Sequence, residues 1–373
     1  MIVSMKKLKE NPLMQILLLL GLIAATILFM AVDARFIAPK RITRRSVTLE
    51  SLQIPHQLDN VSILFFSDLE YGTFMDESRL DSLIETINNA SPDIVLFGGD
   101  VYDLQASADE ETNALLKEKL GSVNAPLGKF AVLGDNDHRN EDMVNTVTGI
   151  LTGANFEILN NRSILLHNKD SRSITLVGMD NGLNGMQDIQ AAYSNVSPES
   201  YVIALCHTPD TASRVPGDLT DYFLAGHSHG GQVYYFFGAS YTPAMATEYL
   251  RGRHQVGDEF TLDITNGVGT TGIDARFVAN CEIVVYRLKS TAPKPTPTPD
   301  LTPTQEAEQS PAVEQPAQEQ PAEQEVIPET QPEEPASPAE EEPAPAEVPA
   351  EQPSEENPEP AEEAPAEENT DNG

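Results

Sequence analysis

Two histidines, His227 and His229, stand one residue apart in a stretch that is rich in glycine. Imidazoles at positions i and i+2 do not share a face of a helix, but on a strand or a tight loop they converge on one ion. Gly230 and Gly231 follow at once and let the backbone come close to whatever is bound. The stretch therefore predicts a metal-binding loop.

Four upstream segments also carry carboxylate or imidazole side chains, and each comes at the end of an apolar, strand-like run. They are Asp68-Leu69-Glu70, Gly99-Asp100-Val101-Tyr102-Asp103, Gly134-Asp135-Asn136-Asp137-His138 and Cys206-His207-Thr208-Pro209. In α/β sheets the loops that follow the strand ends meet to form the ligand site. A buried lone carboxylate is costly, whereas several that converge on divalent metal share its charge. The five segments together predict a two-metal hydrolase site.

Alternating helical and strand-like segments position these loops. Continuous apolar runs predict covered strands at 61–66, 93–97, 128–133, 174–177, 201–205 and 221–224. Apolar residues at helical spacing predict helices at 77–89, 109–120 and 141–151. Later runs at 232–237, 260–264 and 282–288 alternate, and we expect antiparallel strands at the far side of a second sheet.

The five segments, in this order, resemble the calcineurin-like metallophosphoesterases, and most closely a membrane-associated bacterial subgroup. That family's pattern runs D-x-H, G-D-x-x-D, G-N-H-D/E, a lone His and G-H-x-H, and the resemblance covers residues 46–289. It implies a four-layer α/β/β/α sandwich with two metal ions bridged by one aspartate. It also implies hydrolysis of a phosphate ester or pyrophosphate, lipid-linked in some members, by a hydroxide that bridges the two ions.

The resemblance assigns roles to individual positions. The first ion would be held by Asp68, Glu70, Asp100 and His229. The second would share Asp100 and add Asp135, His207 and His227. Asp103 and Asp137 match supporting positions that orient their neighbours through hydrogen bonds.

Three positions depart from the family pattern. Glu70 replaces a histidine, Asp135 replaces the ligand asparagine, and Asn136 replaces the histidine that serves the leaving group. The added oxygen ligands favour manganese or magnesium over iron or zinc. Loss of a general acid, typically worth about 10²–10⁴-fold in rate, favours a substrate with a good leaving group.

Two alignments of this segment stay open. His138, two residues beyond Asn136, is the candidate replacement for the missing proton donor. Alternatively Asp135 is an insertion, and Asn136 itself is the ligand asparagine. The same substitutions allow a second function, in which an impaired relative keeps the fold and serves as a binding or regulatory module.

Residues 13–32 form an uncharged apolar run of twenty residues, which is long enough to cross a hydrocarbon core of about 30 Å. The run is too long for the core of a typical signal peptide, and residues 31–34 are a poor cleavage site. We expect a single-pass helix in the cell membrane, after a short tail at 1–12 and before a basic juxtamembrane linker at 33–45. The basic residues favour a cytoplasmic catalytic domain by count, but the character of the two termini favours an extracytoplasmic one, which we expect.

Composition sets the remaining limits. Much of the net charge of −35 lies in residues 290–373, which are rich in proline and glutamate, lack aromatic residues and are expected to be disordered. No basic patch interleaved with aromatic residues occurs, so nucleic-acid binding is disfavoured. Two cysteines, Cys206 and Cys281, lie in apolar runs and exclude a disulfide scaffold.

Overall fold

The computed structural model describes residues 11–168, 172–235 and 237–293, and two six-stranded sheets dominate them. The strands of the first sheet are β1 (Thr43–Ser51), β2 (Ser62–Phe66), β3 (Ile94–Phe97), β4 (Lys129–Ala131), β5 (Glu157–Ile158) and β14 (Glu282–Ser290). Those of the second are β6 (Arg162–His167), β7 (Ser173–Gly178), β8 (Val202–Leu205), β9 (Tyr222–Ala225), β12 (Gly252–Val256) and β13 (Phe260–Ile264). A separate hairpin pairs β10 (Tyr234–Tyr235) with β11 (Gly238–Ala239).

The first sheet has the order β1-β14-β2-β3-β4-β5. Strands β2 to β5 are parallel, whereas β14 runs antiparallel to β2 and parallel to β1. The expectation that 282–288 joins a second sheet is wrong. Its apolar residues are contiguous from Ile283 to Tyr286 and all buried, which suits a strand with neighbours on both sides rather than an edge strand.

The second sheet has the order β12-β13-β9-β8-β7-β6. Its central strands β7, β8, β9 and β13 are parallel, and its two edge strands are antiparallel to their neighbours. The predicted strand at 260–264 is therefore present, but it is parallel to β9. The run at 232–237 is not a strand of either sheet, because Gln232 has a φ of 52° and breaks the extended chain before the hairpin.

Three helices cover the outer face of the first sheet. They are α2 (Glu77–Ala90), α3 (Glu110–Gly121) and α4 (Glu141–Gly153). Helix α2 begins at the cap Asp76, whose carboxylate accepts from the Arg79 amide, and it buries one apolar stripe. That stripe is formed by Leu80, Leu83, Ile84 and Ile87.

Successive side chains along a strand point to opposite faces of its sheet, so the strands contribute to separate layers of the hydrophobic core. In β2, Leu64 and Phe66 pack toward the helices, whereas Ile63 and Phe65 pack between the two sheets. A third cluster joins the outer face of the second sheet to the short helix α5 (Ile189–Tyr193) and the 209–214 turn. The observed architecture is the four-layer α/β/β/α sandwich that the sequence predicts.

An apolar helix, α1 (Pro12–Val32), precedes the sandwich. It begins at the cap Asn11, and none of its residues is buried against the rest of the described chain. A π-helical turn and a 3₁₀ turn carry it on to Lys40. Strand β1 then begins at Thr43, inside the segment that the sequence suggests is a linker. The expected tails, within 1–12 and 290–373, lie largely outside the described residues.

Candidate metal centre

All five predicted segments follow the carboxyl ends of parallel strands. Asp68 and Glu70 follow β2, Asp100 follows β3, and Asp135 follows β4. His207 comes after β8, and the two glycine-flanked histidines come after β9. Strands β2, β3 and β4 are neighbours in one sheet, and β8 and β9 are neighbours in the other. The sandwich thus brings both sets of loops to one edge, as the α/β rule requires.

The first group of side chains consists of Asp100, Asp135, His207 and His227, with one candidate ligand atom from each within 4.8 Å of the others. His207 Nε2 lies 3.2 Å from Asp100 Oδ2 and 3.1 Å from Asp135 Oδ1. His227 Nδ1 lies 2.8 Å from the same Asp135 oxygen. Asp135 is the most open member, with 19% of its side chain exposed, so access from solvent is on its side.

The second group consists of Asp68, Glu70 and His229, again with ligand atoms within 4.8 Å of one another. His229 Nε2 lies 3.4 Å from Glu70 Oε1 and 3.7 Å from Asp68 Oδ1. All three residues are buried. Glu70 therefore points into the cleft rather than into solvent.

Two of the imidazoles are oriented by backbone carbonyls. His207 Nδ1 donates a hydrogen bond of 2.7 Å to the Gly98 carbonyl, and His227 Nε2 donates one of 2.7 Å to the Ala244 carbonyl. A neutral imidazole carries one N–H group. Because each ring donates that group to a carbonyl, its other nitrogen presents a lone pair to the carboxylates. This is the arrangement by which outer partners orient a metal-ligating histidine.

Several buried atoms of the centre lack a hydrogen-bond partner in the described part of the chain. They are Asp68 Oδ2, Asp135 Oδ1 and His207 Nε2. Asp135 Oδ1 and two imidazole nitrogens approach within 3.1 Å, so three lone pairs face each other unless a cation or a proton lies between them. The donor set of carboxylate oxygens and imidazole nitrogens fits divalent metal.

The pKa values of two carboxyl groups, Glu70 and Asp100, reflect their burial close to other acidic side chains. Burial, and then the charges of Asp100 and Asp68, raise the pKa of Glu70 well above its ordinary value. Burial raises the pKa of Asp100 to about 7, although His207 opposes the shift. In the absence of metal, these carboxylates resist ionisation at neutral pH. A bound cation would reverse that preference.

The imidazoles divide into two kinds. Burial opposes the charged form of His207, but the carboxylate of Asp100 outweighs it and raises the His207 pKa. In His227 the hydrogen bond to Asp135 likewise outweighs burial, and the pKa rises. Burial lowers the pKa of His229 to about 4, with a contribution from Arg276. His229 is therefore neutral at pH 7 and offers a lone pair.

The backbone is strained at these same positions. Asp68, Glu70, Asp100, His227 and His229 all have φ between 49° and 68°, a region that side-chain-bearing residues rarely adopt. Each such residue costs on the order of 1–3 kcal/mol and is found where function demands the geometry. Gly134 shows the same constraint by contact, because a Cβ there would overlap the Asp100 carboxylate.

Of the two predicted supporting residues, Asp137 contacts the centre directly. Its carboxylate accepts from the backbone amides of Asp100, Val101 and Gly134, each at 2.9 Å, and so fixes two ligand loops together. Asp103 instead accepts from Thr73 at 2.6 Å and from the Gln105 amide at 3.0 Å, so it orders the loop after β3.

Asn136 and His138 are both held by the protein. The Asn136 amide donates to both oxygens of Glu70 at 3.2 Å, and its backbone amide donates to Asp100 Oδ1 at 2.9 Å. His138 Nδ1 lies 2.9 Å from the Gly134 carbonyl, and its Nε2 lies 3.2 Å from Asp180 Oδ1. A proton-donating role for either residue stays a prediction.

Sequence reasoning missed several residues around the centre. Asn181, whose amide nitrogen lies 3.0 Å from His138 Nδ1, follows β7, so the strand-end rule could have found it. Tyr241 packs edge-on against His229 with ring centroids 5.6 Å apart. Arg276, fully buried, donates to the carbonyls of His229 and Asn266 at 3.1 and 2.7 Å. No sequence pattern marks either of these last two.

Comparisons with known proteins agree with this geometry. Residues 61–231 match the family model for calcineurin-like phosphoesterases. The chain is 31% identical over 259 residues to the uncharacterised metallophosphoesterase YkuE of Bacillus subtilis, covering 69% of this chain and 89% of that protein. It is also 29% identical to an uncharacterised metallophosphoesterase of Campylobacter jejuni, covering 64% of this chain and 62% of that one.

A cattle protein (Bos taurus) described as a transmembrane protein with a metallophosphoesterase domain is 26% identical, over 64% of this chain and 55% of its own length. The chain thus spans less than two thirds of the Campylobacter and cattle relatives. The family match extends over the segments that carry the metal-ligand candidates. This chain belongs to the calcineurin-like phosphoesterase family.

Proposed function

We propose that this chain is a membrane-anchored phosphoesterase that uses two divalent metal ions. The observation that carries the proposal is the pairing of two ligand groups, Asp68/Glu70/His229 and Asp100/Asp135/His207/His227, at one edge of the sandwich. Unpartnered lone pairs, strained backbone and the raised pKa values of Glu70 and Asp100 coincide there. These features lower the stability of the metal-free protein, and a bound cation would offset that loss by balancing the charge of the carboxylates.

In this proposal Asp68, Glu70 and His229 would hold one ion, Asp135, His207 and His227 would hold the other, and Asp100 would serve both. The four carboxylates carry four negative charges when ionised, which two divalent ions would balance. Four oxygen donors among seven favour manganese or magnesium. Such ions, when bound, supply an activated water and neutralise charge on the phosphoryl oxygens.

The chain's own residues supply orientation. Asn136 steadies Glu70, and Asp137 ties the Asp100 loop to the Gly134 loop. His138 has a protein partner at each ring nitrogen, so we assign it a positioning role within this proposal. No proton donor is then placed for the leaving group. We therefore propose a diester or pyrophosphate with a good leaving group, lipid-linked or soluble, as the substrate class.

Membrane anchoring is the second part of the proposal. Helix α1 has 21 residues, a length of about 31 Å, and is long and apolar enough to cross a bilayer. One of the similar proteins is named as a transmembrane protein. We propose a single-pass anchor with the catalytic domain outside the cytoplasm. Protease accessibility of the C-terminal segment in intact cells tests the orientation, and protection of that segment would reverse it.

The activity is tested on the full-length protein in detergent. Chelator-treated protein should not hydrolyse bis(p-nitrophenyl) phosphate, and added manganese should restore hydrolysis. Asp100→Asn should abolish the restored activity, whereas Glu50→Gln, a surface carboxylate paired with Lys289, should retain it. Metal binding without hydrolysis of this diester would favour the alternative, a binding or regulatory module. Absence of metal binding would overturn both.

A further inference from the structure

A small aromatic hairpin lies beside the C-terminal end of α1. It comprises Tyr234 and Tyr235 of β10, Phe237 at the turn, and Gly238 and Ala239 of β11. Phe237 is 96% exposed, and Tyr235 is 46% exposed. An aromatic ring with almost its whole surface in water is unfavourable for a soluble domain, because burial of such a ring is worth about 1.5–3 kcal/mol.

The hairpin shares an apolar cavity of about 480 Å³ with α1. Its walls are Met30, Tyr234, Tyr235, Phe277 and Val278. Val278 is 57% exposed although it is β-branched and has a φ of 63°. A strained backbone that turns an apolar side chain outward indicates that this exposure is imposed by the structure.

Ion pairs and hydrogen bonds fix the end of α1 to this part of the domain. The Arg276 amide donates to the Ala34 carbonyl at 2.8 Å. Arg35 donates to the Asp274 carbonyl and carboxylate at 3.0 and 3.1 Å, and Arg79 holds the same carboxylate. The hairpin therefore has a defined position relative to the helix.

The length of α1 sets the depth of the hairpin in a membrane. Its 21 residues span about 31 Å, which matches the hydrocarbon core, so its last residue, Val32, marks the edge of that core. Met30 lies within the last turn, and side chains that share a cavity with it lie at the same level. Tyr and other aromatic residues are enriched at this level of membrane proteins. The Arg251 guanidinium, 4.7 Å above the Tyr234 ring, adds a cation suited to lipid phosphates.

The hairpin is also joined to the metal centre through the chain. It begins two residues after Gln232, the end of the His229-Gly230-Gly231-Gln232 stretch. On its far side, Tyr241 packs against the His229 ring, and the Ala244 carbonyl accepts from His227 Nε2. A candidate ligand thus precedes the hairpin, and residues that contact two candidate ligands follow it.

We infer that this hairpin inserts into the interfacial layer of the bilayer that α1 spans, with Phe237 as the deepest residue, and so docks the metal centre at the membrane surface. The inference rests on the proposed membrane anchoring and not on the proposed hydrolysis. The occupant of the apolar cavity and of the exposed ring face is lipid. A second copy of this chain would be the competing occupant.

The chain contains no tryptophan, so Phe237→Trp introduces a single indole reporter at an exposed position. Full-length protein would be reconstituted into vesicles of phosphatidylcholine and phosphatidylglycerol, with or without bromine in the upper acyl chain. An indole inserted about 5–10 Å into the headgroup boundary should lose roughly half of its emission or more to bromine. Tyr235→Trp, on the same hairpin, serves as a second reporter.

Leu52→Trp is the matched control. Leu52 is 68% exposed and follows the nine residues of β1, which place it about 30 Å along the strand from Thr43, the first strand residue after α1 and its turns. Its emission should be insensitive to bromine. Bromine is present in both leaflets, so the orientation of the protein in the vesicle does not affect the result.

Three outcomes separate the possibilities. Flotation of the protein with vesicles reports membrane association, and failure to float overturns the proposed anchor and this inference with it. Flotation with both hairpin reporters as insensitive to bromine as Leu52→Trp overturns the inference and leaves the anchor intact. Reporter emission that depends on protein density but not on bromine also overturns it, in favour of contact between copies. None of these readouts depends on hydrolysis.

Discussion

Two of the buried groups of charged side chains in the described part of the chain are built in opposite ways. Near the β1 edge, the fully buried carboxylate of Asp263 accepts from Arg45 at 2.8 Å and from the hydroxyls of Tyr222 and Tyr286 at 3.1 and 2.9 Å. Arg45 also pairs with Glu282. We call these residues the Arg45 cluster. In it, a protein cation and two hydroxyl donors meet one carboxylate oxygen of Asp263, Oδ2, whereas Oδ1 has no hydrogen-bond partner in the described chain.

The candidate metal centre groups four carboxylates with three imidazoles, and no lysine or arginine is among these seven described side chains. Burial raises the pKa of Asp100 to about 7, and several acceptor atoms lack a partner in the described chain. In the Arg45 cluster, burial and the Asp263 charge raise the pKa of Tyr222 instead, so that its hydroxyl remains a donor. The comparison teaches that burial of charge alone does not mark a functional site. The convergence of carboxylates and imidazoles with no lysine or arginine among them does.

The largest expected effect comes from the shared ligand. Asp100→Asn should lower manganese-dependent diester hydrolysis by about 10²–10³-fold or more, as for loss of one electrostatic stabiliser of a transition state. It should also lower the number of bound metal ions. Its metal-free form should unfold at the wild-type temperature or above, because the variant removes a carboxyl that burial disfavours. A metal-free form that is strongly destabilised would show that Asp100 is structural.

Asp263→Asn is the opposite test. Weakening this buried pair leaves Arg45 without its main partner. We expect a loss of about 3 kcal/mol in the free energy of unfolding, the low end of the range for a broken buried ion pair, because Glu282 still pairs with Arg45. Thermal unfolding in detergent measures this loss. Metal content per folded chain should be unchanged. Loss of metal with stability retained would erase the distinction between the two groups.

Metal itself should stabilise the chain by a smaller amount. At a manganese concentration of about 100 times Kd, the folded state gains about 2.7 kcal/mol by mass action. The unfolding temperature of the wild type and of Asp263→Asn should therefore rise by similar amounts, and that of Asp100→Asn by less. The rise should shrink when the pH is lowered from about 8 to about 6, because protons compete for the ligands. Equal shifts in all three proteins would indicate binding elsewhere.

The smallest effect concerns the leaving group. Asn136→His restores a residue capable of proton donation, and we expect roughly a tenfold or larger gain on an alkyl phosphate ester, with little change on an activated diester. Initial rates on both substrates measure the ratio. Asn136→Gln keeps an amide and serves as the control. An unchanged ratio would remove the idea that the missing acid limits the substrate range.

The sequence predicts that the candidate ligands converge, because the signal for each of them is local. An Asp or His beside glycine at the end of an apolar run needs only the rule for parallel strands to be placed, and Asp68, Asp100 and His207 all follow that rule. The four-layer arrangement is what the resemblance to the family implies. Position within a sheet is harder to predict: alternation in the 282–288 run suggests a strand of the second sheet, whereas its contiguous apolar residues are buried between two neighbouring strands of the first.

The Arg45 cluster could not be predicted from the sequence, because its members are far apart in the chain and meet only in the folded structure. Arg45 and Asp263 are 218 residues apart in the chain, and only the parallel pairing of β1 with β14 brings this end of β1 to the second sheet. Arg45 by composition belongs to a basic segment after an apolar helix. The contacts of the Gly98 and Ala244 carbonyls with His207 and His227 could not be predicted either, because every residue has a backbone carbonyl and the sequence does not mark these two.

The most direct test of the central claim is the number of metal ions bound by the purified full-length protein, measured by elemental analysis after equilibrium dialysis against manganese. The account predicts two ions per chain in the wild type and in Asp263→Asn, and fewer in Asp100→Asn. A wild-type chain that binds less than one ion, or an Asp100→Asn chain that binds as many as the wild type, would contradict it.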